Sequence, residues 1–260
     1  MAAEGAGYAA RDLLIQEGQA ILAALSATGD QNAAIHAARK AIRRMRAVLA
    51  LLNEDALSLE RDDLALRRLG KGLSDLRDAH VTVETAHRLR ALQPGPGWAA
   101  IVASLVTRRD RILRRELAND SGFRRRRKVV EAVSLHLEAQ PWECVRRSGI
   151  RAALARSERR VKKAGARAAR DGDAEAVHRW RRRVRRLRMQ LDAAHELGAL
   201  HGQAHSGVAR KAKALHKISD RLGWRQDLQL LRNLVRAMPA DAGKAAVLGQ
   251  IDAALASTTH

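Results

Sequence analysis

The sequence predicts an all-α fold, and three observations predict it. Apolar residues recur at spacings of three and four along nearly the whole chain. Alternation of β-branched residues with period two, the mark of strands, is missing. Clusters of turn-forming residues divide the chain into eight or nine long segments, a count that suits helical bundles. At 260 residues and 46% hydrophobic content the chain can bury a core, so its high charge does not imply disorder.

Taken in order, the first helical segment runs to Gly29-Asp30. A strongly basic segment follows and ends between Asn53 and Ser58. The third extends to "QPGPG" at 93–97, which no helix crosses easily, and the fourth to Asp120-Ser121-Gly122. A shorter segment opens with "RRRRK" (124–128) and stops at Gln140-Pro141. Asp171-Gly172-Asp173 closes the next. The remaining breaks fall near Gly202 to Gly207 and at Pro239.

Self-comparison finds an internal repeat. "IHAARKAIRRMRAVLALL" (35–52) matches "VHRWRRRVRRLRMQLDAA" (177–194) at a constant offset of 142, which is 178 minus 36. His36 aligns with His178, Arg39 with Arg181, Lys40 with Arg182, Arg43 with Arg185, Arg44 with Arg186 and Arg46 with Arg188. Ile35, Ala38, Ile42, Met45 and Leu49 align with Val177, Trp180, Val184, Leu187 and Leu191, so the buried seam is repeated along with the basic face. Further on, "LGKGLSDLRDAHV" (69–81) resembles "ISDRLGWRQDLQL" (218–230), pairing Asp78 with Asp227 and Arg68 with Lys217 at an offset of 149. The repeat predicts two units of four helices each, 8–119 and 141–258, with 120–140 as a connecting helical segment.

Charge bounds the function. Lys and Arg number 49 against 28 Asp and Glu, a net +21, which points to a polyanionic partner. Cys144 is the one cysteine, which excludes a disulfide framework and a thiolate zinc cluster and suits a reducing compartment. The start of the chain has no signal-peptide pattern, and no run of about 18 apolar residues occurs. A soluble, cytoplasmic protein without a membrane partner is expected.

At about 100° per residue, His36, Arg39, Lys40 and Arg43 fall within roughly 100° of arc, nearly opposite the apolar seam; His178, Arg181, Arg182 and Arg185 do the same. A solvated face ordinarily interleaves acids with bases, because like charges at i,i+4 are destabilising. No acid occurs between Gln31 and Leu52 or between Val177 and Leu191. Repetition of so unfavourable a pattern predicts a ligand that brings negative charge. Arginine predominates, and its planar fork takes two phosphate oxygens at once, so phosphate is expected over carboxylate. Two such stripes, facing one another, would form a track for an extended polyanion.

These residues resemble a known family. The string H-x-x-R-K-x-x-R-R-x-R from His36 to Arg46, its second copy H-x-x-R-R-x-x-R-R-x-R from His178 to Arg188, and the L-x-x-L-R-D-x-x-V and L-G-x-x-x-D-L strings that follow are similar to the conserved-histidine α-helical domain, CHAD, over roughly residues 8–238. The resemblance implies two pseudo-symmetric four-helix bundles around a basic central channel that binds inorganic polyphosphate and directs the protein to polyphosphate granules. By the same resemblance His36, Arg39, Lys40, Arg43, Arg44 and Arg46 would line the channel with His178, Arg181, Arg182, Arg185, Arg186 and Arg188, and Arg68 and Lys217 would add to it. Two departures bear on local packing: Arg77-Asp78-Ala79-His80-Val81 stands where R-D-x-D-V is usual, and Met189 where an aromatic is common.

Other signals have structural readings. No acid follows His36 or His178 within the next two turns, which favours anion contact over acid-base catalysis. A polyanion would favour their imidazolium forms, so binding would take up protons and strengthen as pH falls. His201 and His205 have i,i+4 metal spacing, but Gly198, Gly202 and Gly207 suggest a loop, so no metal is expected. Asp78 and Asp227 are read as orienting arginines or capping helices, and Trp180 and Trp224 as core. The stretch at 124–128 is either an added anion contact or a solvated helix start. A nucleic-acid binder is the first alternative function, weakened by 2% aromatic content and by the lack of Asn, Gln or Ser within the stripes. An enzyme acting on phosphoanhydrides is the second, and it would need clustered carboxylates for Mg²⁺, which the sequence does not offer. The expectation is a non-enzymatic polyphosphate binder without a cofactor.

Overall fold

The structure, a computed structural model, describes residues 5–52, 57–200, 205–239 and 243–258. Among them every regular element is helical, as the periodicity predicts. The ten α-helices are α1 (Gly5–Ser26), α2 (Gln31–Leu49), α3 (Glu60–Gly72), α4 (Ser74–Leu92), α5 (Trp98–Asn119), α6 (Arg124–Glu138), α7 (Arg147–Asp171), α8 (Ala174–Glu196), α9 (His205–Ala237) and α10 (Lys244–Ser257).

The turn clusters act as predicted. Asp30 caps α2, its carboxylate accepting from the backbone N–H of Asn32 and Ala33 at 2.9 and 3.2 Å. Gly172 ends α7 in the left-handed region at φ 63°, and Asp173 caps α8 through the N–H of Ala176. One break is absent from the prediction: α3 stops at Gly72 and α4 starts at Ser74. The apolar spacing continues across this point, but the aligned position in the second copy is Arg221 (72 plus 149), where α9 runs on unbroken.

The chain packs as two compact units, each built from pieces of both repeats. The first comprises residues 1–72 and 122–219, hence α1, α2, α3, α6, α7, α8 and the start of α9. The second comprises 73–121 and 220–260, hence α4, α5, the rest of α9 and α10. The unit boundaries at 72/73 and 219/220 fall within two residues of equivalent places in the repeat.

In the first unit α1 packs on α2 and α6, α7 on α8, and α2 on both α3 and α8. Its core includes Leu14, Ile21, Ile35, Ile42, Met45, Val184 and Leu187, all essentially inaccessible to water, so the first repeated seam is buried as its spacing predicts and the second from Val184 onward, with Val177 and Trp180 half-buried. Trp180 lies against Gly165 of α7, where a Cβ would stand 3.1 Å from its Nε1. Gly7 of α1 has a stricter role: a Cβ there would lie 1.7 Å from the carbonyl oxygen of Trp142. The Trp142 indole N–H in turn donates to the Leu137 carbonyl at 2.8 Å, tying the end of α6 to the same point. His136 of α6 holds the buried Asp62 of α3 at 2.8 Å; burial pushes the Asp62 carboxyl above its ordinary range while the His136 hydrogen bond opposes it.

The second unit surrounds a separate core of Val83, Ala86, Leu89, Trp98, Ile101, Leu228, Leu231, Val235, Val247 and Ile251. The Trp98 indole N–H donates to Gln250 Oε1 at 2.6 Å. Trp224 is half-buried against this core with the Arg88 guanidinium 4.2 Å above its ring, so it combines packing with a cation-π contact. Asp227 lies 3.5 Å from Arg77, and Asp78 lies 3.1 Å from the same guanidinium, in keeping with their arginine-orienting reading.

Two glycine substitutions separate contact from propensity. Gly7→Ala should lower stability by about 1–3 kcal/mol through overpacking, whereas Gly249→Ala, exposed in α10 with open space around it, should raise it by about 0.5–1 kcal/mol. Urea denaturation of both variants checks the opposite signs.

Candidate anion-binding site

All of the predicted site residues belong to the first compact unit. His36, Arg39, Lys40, Arg43, Arg44 and Arg46 are on α2, Arg68 on α3, His178 through Arg188 on α8, and Lys217 on the opening half of α9. The two basic helices pack directly on each other. Gln190, fully buried in α8, donates from Nε2 to the carbonyl of Ala47 in α2 at 3.4 Å. The repeat aligns Gln190 with Val48 (190 minus 142), so the helices meet at nearly equivalent positions.

Their basic residues differ in access. His36, Lys40, Arg68, Arg182, Arg186 and Lys217 are exposed, and Arg39, Arg43, Arg44, Arg46, His178, Arg185 and Arg188 are half-buried. Arg181 is buried, with 6% of its surface accessible, so it does not share the open stripe that its spacing predicts. The helical-wheel argument places it in line with His178 and Arg185, but the close packing of α8 against its neighbours covers it.

Acids missing from the basic stretches of α2 and α8 arrive from neighbouring helices and from the two ends of α8. Arg46 makes a two-pronged bridge to Asp63 of α3, with Nε at 2.8 Å and Nη2 at 3.0 Å from its two oxygens. Arg44 reaches Glu17 of α1 at 2.9 Å and lies 4.0 Å from Glu196 near the end of α8. Burial raises the Glu17 carboxyl above its ordinary 4.5, Arg44 pulls it down, Glu196 raises it again, and Lys40 lowers it. On α8, Arg182 lies 3.7 Å from Glu175 in that helix's first turn. Two further contacts involve no acid: Arg39 donates to the Gly70 carbonyl, and Arg188 Nη1 lies 3.0 Å from His216 Nδ1.

Arg186 is where the two basic helices come closest electrostatically. Its side chain reaches the surface of a crowded hollow, and desolvation by the surrounding protein lowers its pKa first; Arg46 lowers it further, Asp63 opposes, and Arg160 and Arg182 add to the lowering. A guanidinium pressed in this way by other cations is a place where an anion is favoured.

The "RRRRK" stretch acts partly as a helix-end clasp. Arg126 donates to the Gly72 carbonyl at the end of α3 at 3.2 Å, and Arg127 donates to Ser26 Oγ at the end of α1 at 3.1 Å. His201, one member of the predicted metal-spaced pair, lies outside the described residues, as does the side chain of His205. Among the described residues no group of three or more His, Cys, Asp or Glu is arranged to hold a metal ion. No helix among them is long and apolar enough to cross a membrane. Sequence reasoning did not single out the arginines of α7: Arg156 and Arg160 stand beside Arg183 and Arg186, and their i,i+4 like-charge spacing was the available signal.

The Glu17 shift fixes a sign. A carboxyl whose folded pKa is raised contributes stability below its unfolded value and loses it as pH rises through the folded one. Glu17→Gln removes that loss, so the stability of the variant relative to wild type should climb between pH 4 and 7. Chemical denaturation at several pH values measures the difference, and a falling difference contradicts the assignment.

A family model described as CHAD domain matches residues 13–236 of the chain. No curated protein matches it significantly.

Proposed function

The chain belongs to the CHAD-domain family, and from that premise we propose that it binds inorganic polyphosphate along α2 and α8 and through this associates with polyphosphate granules in the cytoplasm. The observation that carries the reading is the direct packing of two helices that are both rich in arginine and free of acid over their basic stretches. Repulsion between them is only partly offset by Glu17, Asp63 and Glu175. A chain of phosphates supplies the remaining negative charge, and arginine forks recognise its oxygens. Arg43 and Arg185, half-buried and equivalent in the repeat, are assigned the central contacts, with His36, Lys40, Arg182 and Arg186 as exposed flanks. Arg68 and Lys217 extend the basic surface within the same unit. The role of Arg181 is to position α8 from within, since it is buried.

Binding without turnover is part of the proposal. The carboxylates closest to the stripes, Glu17 and Asp63, are each engaged by an arginine and so are poorly placed to serve as a general base or to gather cations. Phosphate release from long-chain polyphosphate should therefore stay at the buffer rate.

A competition titration tests the binding. Labelled long-chain polyphosphate should resist displacement by duplex DNA or RNA at equal phosphate concentration. Arg43→Ala/Arg185→Ala should weaken it at least about tenfold, or about 1.4 kcal/mol, and make the dependence of log K on log salt shallower. Equal competition by DNA, or unchanged binding by the variant, overturns the reading.

A further inference from the structure

Helices α7 and α8 and the C-terminal end of α2 enclose a cleft of about 360 Å³ within the first unit. Its walls carry four arginines: Arg156 and Arg160 from α7, and Arg183 and Arg186 from α8. Ser157 adds a hydroxyl, and the rest of the lining is Ala50, Ala153 and Gln190, so no carboxylate and no aromatic ring faces the space. Three of the four arginines lie outside the stripes described above.

Several features show that the cleft is arranged for an anion. Arg183 is held by a hydrogen bond from Nη1 to the carbonyl of Arg160 at 3.1 Å, which fixes one wall to the other. The acid of this part of α7, Glu158, bridges to Lys211 of α9 and does not line the cleft. The volume of about 360 Å³ suits a few phosphoryl groups and not a long chain. Burial lowers the pKa of Arg186 first, and Arg46, Arg160 and Arg182 add to the lowering against Asp63.

We propose that this cleft is a binding site for a short, free inorganic oligophosphate of a few phosphoryl groups, separate from the track along α2 and α8. Arginine forks account for recognition of the phosphoryl oxygens. The want of an aromatic surface accounts for selection against nucleotides, whose bases gain affinity by stacking. Arg186 borders both the cleft and the track, so occupancy of one site influences the other through that residue. The proposal does not depend on long-chain binding, since the walls at Arg156, Arg160 and Ser157 belong to α7 alone.

Calorimetric titration of the full chain with tripolyphosphate at physiological salt tests it. The variants are Arg156→Gln/Arg160→Gln, at exposed positions on α7, and Ser157→Asp, which adds a negative charge and removes no cation; Arg39→Gln/Arg43→Gln serves as the track control. Both cleft variants should melt like wild type and bind tripolyphosphate at least about tenfold more weakly, while the track control changes by less than about threefold. Adenosine triphosphate should bind wild type no more tightly than tripolyphosphate does. If wild type does not bind tripolyphosphate, if the cleft variants bind it unchanged, or if the track control loses it equally, the assignment is overturned. Long-chain polyphosphate, titrated alongside, separates the two sites: its loss in the track control with tripolyphosphate retained supports both, and its failure to bind wild type sinks the track reading alone.

Discussion

The first unit depends on a contact that its charges oppose: α2 against α8. Each helix carries a basic stretch without an acid, yet they approach closely enough for a buried Gln190 side chain to reach the Ala47 backbone. Burial of the two repeated seams drives that approach. Ile35, Ala38, Ile42 and Met45 on one helix and Val184, Leu187 and Leu191 on the other are nearly all inaccessible to solvent, and each large apolar side chain contributes about 1.5–3 kcal/mol when fully buried. Like-charge pairs on a helix surface cost a few tenths of a kcal/mol each. Apolar burial therefore wins, and the basic residues are carried along on the faces left over.

Neighbouring helices then determine how much of that charge stays available. Asp63 holds Arg46 in a two-pronged bridge, and Glu17, buried and pushed toward its neutral form, holds Arg44 less securely. The Arg46–Asp63 bridge is partly exposed, and such bridges are worth little, so it matters more for aiming the guanidinium than for stability. Arg43 and Arg185, close to the middle of their helices, keep the repeat-equivalent positions that a polyanion would meet first.

The sequence is most legible where structure is local. The all-α class, the capping aspartates 30 and 173, the Gly-Pro break at 93–97 and the buried seams all follow from spacing and turn chemistry within a few residues. What depends on distant parts of the chain is not legible. Helical periodicity cannot show that Glu17 and Asp63 come to α2, that packing covers Arg181, or that α7 brings Arg156 and Arg160 to α8. Nor does the repeat reveal that each compact unit collects pieces from both copies, because homology between segments says nothing about which segments pack together. The break at Gly72 lies between these cases: the glycine was visible, but the uninterrupted apolar pattern around it hid the break.

Arginine footprinting tests the central claim most directly. The folded chain would be treated with an arginine-selective dicarbonyl, with and without long-chain polyphosphate, and modification at each site read by mass spectrometry. The account predicts that polyphosphate shields Arg43, Arg185 and Arg186 while Arg90 and Arg221, exposed in the second unit, react as before. Uniform shielding across both units, or unchanged reactivity along α2 and α8, would contradict it.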